Sequence, residues 1–170
     1  MNSNILFNLL NTKASGWVIF IRLSLALVFI PEGIQKLIHP DVLGAGRFFK
    51  MGIPYAEFTG PFVGWVEIIC GLLILIGLLS RLAAIPLIIT MLVAIIATKF
   101  PILMGHDWVL TETITFYVRE LKTYGFWSLM HETRTDWAML MCSLYILAVG
   151  AGQWSLDKQI HKQYKQNLDS

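Results

Sequence analysis

Four long apolar runs constrain this chain more than any other feature. They fall at about 17–38, 58–79, 81–103 and 135–153. A helix needs about 20 mostly apolar residues to cross a bilayer, and each run has about that length. The runs are continuous and lack the alternation of a barrel strand. Lipid tolerates only helices or closed barrels, because every backbone polar group must be satisfied within the structure. The expected fold is therefore all-α, an integral membrane bundle of four transmembrane helices. Only 14% of the residues are charged and 56% are hydrophobic, whereas soluble domains carry about 25% charge.

The second and third runs meet at Ser80–Arg81 with almost no loop, which predicts a tight antiparallel hairpin. The connection 39–57 holds Pro40, Gly44, Gly46, Gly52 and Pro54, so it is broken. The third connection, 104–134, mixes Trp108, Phe116, Tyr117, Tyr124, Phe126 and Trp127 with charges. That composition suits a long interfacial loop at headgroup level, with an ordinary surface loop as the alternative. Residues 1–157 form one membrane domain, and 158–170 form a short basic tail with Lys158, Lys162 and Lys165. The N-terminus lacks a signal-peptide pattern, so the first run stays as a span. Lysines in the short flanks favour both termini in the cytoplasm. A net charge of +2, with no basic face, points away from nucleic acid.

The charges inside the spans are the informative residues. On an ideal helix, Arg22, Phe29, Gly33 and Lys36 lie within about 60° of one another, and Glu32 lies on the edge of that sector. Glu32 and Lys36 are four apart in the favourable order for a helical ion pair. In the second span Gly60, Gly64, Glu67 and Gly71 recur at spacings of four, three and four. Small residues at such spacing let helices approach closely. Glu67 sits near mid-span, where an unpaired charge costs at least about 2.5 kcal/mol. Its expected partner is Arg22, with Lys36 second. Arg22, Glu32, Lys36 and Glu67 thus make a buried polar core, and it either fixes the register of the bundle or lines a site for a small ligand, a quinone head group or a proton path. Lys99 is expected to snorkel to the interface. The fourth span presents Ala138, Cys142, Tyr145 and Gly152 on one side.

No catalytic motif is visible. His106 and His131, flanked by Asp107 and Glu132, lack the convergent spacing of a metal site. Cys70 and Cys142 lie in separate runs and suit small buried hydrophobes. No His pair faces another across the spans as haem would require. The chain is thus expected to carry no metal and no cofactor of its own.

Arg22, Gly33 and Lys36 in the first span, Gly52 and Pro54, Glu67, Gly71 and Arg81, and finally GAGQWSLD with Gly150, Gly152, Ser155 and Asp157, keep an order and spacing that resembles the DoxX family of small bacterial inner-membrane proteins. The resemblance runs from about 16 to 157. It implies a four-helix protein of the cytoplasmic membrane, in contact with the lipid bilayer, with a soluble or membrane redox protein as partner and homo-oligomerisation allowed. The family takes its name from a subunit associated with thiosulfate:quinone oxidoreduction, and some relatives are linked to membrane complexes with soluble thiol or superoxide enzymes. The implied role is an accessory or anchoring subunit of a quinone- or thiol-linked redox system, not catalytic on its own. The alternatives are a quinone-reactive oxidoreductase subunit and a membrane protein that binds or carries a lipid or small solute. From the residues themselves, Gly150 and Gly152 suit a helix end, and Ser155 or Asp157 suits the N-cap of the turn that follows.

Overall fold

A computed structural model describes residues 10–12, 15–104 and 125–169. The described residues are helical, with turns and without strands. The helices are α1 (Val18–Ile38), α2 (Ala45–Lys50), α3 (Ala56–Ile76), α4 (Ser80–Leu103), α5 (Phe126–Val149) and α6 (Leu156–Asp169). The helices α1, α3 and α4 are each long and apolar enough to cross a membrane. The protein is an all-α membrane protein.

Two compact units divide the chain. One comprises 1–88 with 142–170, and the other comprises 89–141. Within the first unit α1 and α3 run antiparallel and pack closely. The reason is at Gly33 and Gly64. A Cβ on Gly33 would stand 2.5 Å from the Gly64 carbonyl oxygen, and one on Gly64 would stand 3.0 Å from that of Gly33. A methyl at Gly33 does not fit that seam without a backbone shift, and one at Gly64 would crowd it. Gly71 lies against Ile30 further along, and Gly60 meets Ala45 at the start of α2 instead of α1.

The helix α3 ends where Gly77 takes φ +72°, a left-handed value that costs glycine little. Gly77 N–H donates to Ile74 and Leu78 N–H to Leu73, which closes the last turn as a Schellman motif. The helix α4 starts three residues later. It contains a widened π turn over Ile95–Lys99, just ahead of Pro101. The proline has no N–H to donate, and its ring crowds the carbonyl four residues back. The π turn accommodates both effects, and such turns recur at functional sites.

The helix α5 begins at Phe126, so residues 126–134 are helical where a loop was expected, and it stops at Val149 instead of 153. Its inward side also differs from the expected one. Met139, Leu140, Ser143 and Ile146 are buried, whereas Ala138 and Tyr145 are exposed and Cys142 is half-buried. The polar start FWSLMHETRTDW hides the helix in the sequence, because it carries no apolar period.

Candidate functional site

The ionisable residues gather in three places, each set by the helix that carries it. Arg22 leads, in the second turn of α1 and almost fully buried. Its Nε donates to the Ile74 carbonyl at 2.8 Å and its Nη2 to that of Leu75 at 2.5 Å. Its Nη1 donates to Trp154 at 2.6 Å and Ala151 at 3.3 Å. Two of these acceptors belong to the last turn of α3, whose carbonyls have no partner within the helix. A cation there also complements the negative end of the helix dipole.

The closing motif completes this arrangement. Asp157 accepts from the Leu79 and Ser80 N–H groups at 2.6 and 3.0 Å, while its own N–H donates to the Gly77 carbonyl at 2.8 Å. It therefore caps α4 from a distant part of the chain, because Leu79, with φ +49°, has no side-chain acceptor to offer. Ser155 caps α6, accepting from Lys158 N–H at 3.3 Å, and its hydroxyl donates to the Gly152 carbonyl at 2.6 Å. Gly150 and Gly152 both hold positive φ. Gly152 N–H reaches the Thr12 hydroxyl at 2.8 Å. A Cβ on Gly77 would fall 2.5 Å from Ser155 Cβ and 2.8 Å from Arg22 Nη2, so this glycine is needed for close approach as well as for its backbone angle. Thr12 and Gly77 were not singled out in the sequence. Nothing in their spacing announces them, since both act only once distant segments meet.

The second place corrects the expected pairing. Glu67 does not meet Arg22. The antiparallel register puts Glu67 beside Gly33, where an added Cβ would lie 3.1 Å from that of Glu67. Gly33 is eleven residues beyond Arg22, or about 16 Å along the helix, which is further than a guanidinium reaches. Glu67 accepts instead from Lys36 Nζ at 2.7 Å. Lys36 also meets Glu32 at 3.4 Å. The side chains form a gradient of exposure, with Glu67 at 2%, Lys36 at 13% and Glu32 at 53%. Glu32 is thus not part of a buried core. It lies outside the inward stripe, at whose edge the ideal helix had placed it.

The third place lies in the unit 89–141. Lys99 Nζ stands 3.6 Å from Glu132 and 3.7 Å from Asp136, all three largely shielded. Lys99 therefore does not simply snorkel. The hydroxyl of Thr98 bonds back to the Ala94 carbonyl in the same π turn. His131 contacts Arg134 on α5, and His106 and Asp107 lie outside the described residues. Among the described residues no three His, Cys, Asp or Glu side chains converge as a metal site. Arg81 is in the first turn of α4, Gly52 turns the chain after α2 with φ +71°, and Pro54 follows it, exposed.

Comparison with known proteins places this geometry. The DoxX family model matches residues 17–99, which include Arg22, Gly33, Lys36, Glu67 and Arg81. An uncharacterized membrane protein of Mycobacterium tuberculosis is 44% identical over 155 residues, covering 91% of this chain and 88% of the relative. No solved structure matches.

Proposed function

The chain belongs to the DoxX family of membrane proteins, and from that premise we propose that it is an accessory, membrane-anchoring subunit of a quinone- or thiol-linked redox system. It works in the bacterial cytoplasmic membrane, with α5 as a fourth crossing and both termini on the cytoplasmic side. The observation that carries this reading is how the motif residues are engaged. Arg22 is bonded to four carbonyls, Asp157 to two amides and Ser155 to a helix end. Groups held in this way fix helix ends, and they leave nothing to activate a substrate. A residue set that builds a rigid insert in the bilayer suits a subunit that positions another protein there.

Lys36 and Glu67 favour a second reading, in which the chain itself contacts quinone. An ammonium and a carboxylate side by side in an apolar seam offer one donor for a quinone carbonyl and one acceptor for a quinol hydroxyl. A bound quinone would supply two-electron redox chemistry. The residues of this chain would orient its head group and hold a proton at Glu67.

Affinity purification of the full chain from native membranes in mild detergent, with mass spectrometry of proteins and quinones, tests both readings. The accessory role predicts an oxidoreductase at near-equal stoichiometry and no quinone reduction by the isolated chain. Co-purifying quinone that is lost in Glu67→Gln would favour the second reading. A chain that emerges alone, without protein or quinone, would overturn both.

A further inference from the structure

The lysines of α6 lie beyond the family signature, and the start of their helix is fixed at the membrane surface. Asp157 is bonded to the amides of Leu79 and Ser80 and to the Gly77 carbonyl, all in the turn between the membrane helices α3 and α4. That turn stands where two spans leave the bilayer. Exposed aromatic rings mark the same level. Trp154 lies against Gly16, next to Trp17 and Phe20 at the start of α1, as at membrane interfaces generally.

Residue types are sorted around the axis of α6. Asp157, His161 and Tyr164 lie within about 60° of one another and are buried or half-buried, so this face packs on the protein for two turns. Gln159, Gln163 and Gln166 lie about 180–240° round from Asp157 and are exposed. The helix therefore lies along the surface of its own unit, with an uncharged face to the water. Lys158, Lys162 and Lys165 share the flank about 80–140° from Asp157, the first half-buried and the others exposed. Leu156 and Ile160, each 38% exposed, hold the other flank. Among the described residues none of the three lysine side chains forms an ion pair. Of the two aspartates on the helix, Asp157 is held by the α4 amides and Asp169 is the last residue. Arg81 adds a fourth cation. It follows Ser80, whose N–H Asp157 holds, and its Nε is buried without a hydrogen-bond partner among the described residues. Lysine stems can lie along apolar surface while their ammonium groups reach headgroup phosphates. A soluble acidic protein would approach from the water, where α6 presents glutamines.

We propose that Lys158, Lys162 and Lys165 on α6, with Arg81 at the start of α4, bind the phosphates of anionic phospholipids in the leaflet on this side. Trp154, Leu156 and Ile160 enter the same leaflet, as the apolar side of an interfacial helix does. The contact is independent of any redox partner, and it holds α6 flat on the membrane.

Native mass spectrometry of the full chain, offered phosphatidylglycerol and phosphatidylcholine at equal concentration, tests this. The unmodified chain should retain phosphatidylglycerol about tenfold or more over phosphatidylcholine, since each lysine at an anionic surface contributes about fivefold. Lys158→Gln, Lys162→Gln and Lys165→Gln combined should cut that preference about tenfold. Lys162→Gln with Lys165→Gln changes exposed side chains only, and it should lose most of the preference even if the triple variant fails to fold. Arginine at all three positions keeps the charge and should keep the preference. Equal retention of the two lipids by the unmodified chain, or a preference that survives the Gln changes, would overturn the proposal, as would loss of a bound acidic protein in place of the lipid.

Discussion

Lys36 and Lys99 make a natural pair for comparison. Each lies near the end of an apolar helix and between two carboxylates. The difference is in closure. Lys36 bonds Glu67 at 2.7 Å across a seam that Gly33 and Gly64 draw tight. Lys99 stands 3.6 Å from Glu132 and 3.7 Å from Asp136, beyond direct hydrogen-bonding distance. The same grouping of one lysine and two carboxylates can therefore close into a direct bond or stand at longer range. Arg22 shows the saturated limit, where one cation meets four carbonyls and no carboxylate is needed.

Substitutions should separate these cases by size. Arg22→Met sets the upper bound. It strands helix-end and loop carbonyls in a buried place, and hydrogen bonds to charged groups contribute about 1.5–3 kcal/mol each. The variant should fail to accumulate in membranes, which immunoblotting would show. Glu67→Leu comes next. It leaves Lys36 largely shielded without its main partner, and breaking such a pair costs about 3–5 kcal/mol. Reversible unfolding in mixed micelles would measure it, and an unchanged midpoint would mean the closed pair is idle. Gly64→Leu attacks the closure itself, because its side chain would enter the space of the Gly33 carbonyl and Leu37. Overpacking of this kind costs about 1–3 kcal/mol, and the double variant with Glu67→Leu should fall short of additivity. Glu32→Gln should be the smallest, within about 0.5 kcal/mol, since the pair it breaks is half in the open.

The all-α membrane fold was legible because four apolar runs of bilayer length admit little else. The spacing of Gly33, Gly64 and Glu67 also pointed to the face on which these residues meet. The partners were not legible. Arg22 ends on backbone carbonyls, which no side-chain pattern displays, and the register of α1 against α3 carries Glu67 out of its range. Asp157 reads locally as a cap for the helix it begins, but the folded chain turns its carboxylate to α4. The Lys99 cluster was hidden for a different reason. Glu132 and Asp136 sit in a polar stretch that becomes helical without an apolar period of its own, so their four-residue spacing on one face could not be weighed.

Double-mutant cycles on Lys36–Glu67 and Lys99–Glu132, measured by unfolding of the full chain in micelles, test the contrast between the two clusters most directly. The closed pair should show a coupling of about 1–3 kcal/mol. The longer-range pair should couple more weakly, at about 0.5 kcal/mol or below, the low end for neighbouring residues. Equal coupling at the two pairs would contradict the distinction between a direct and a longer-range ion pair.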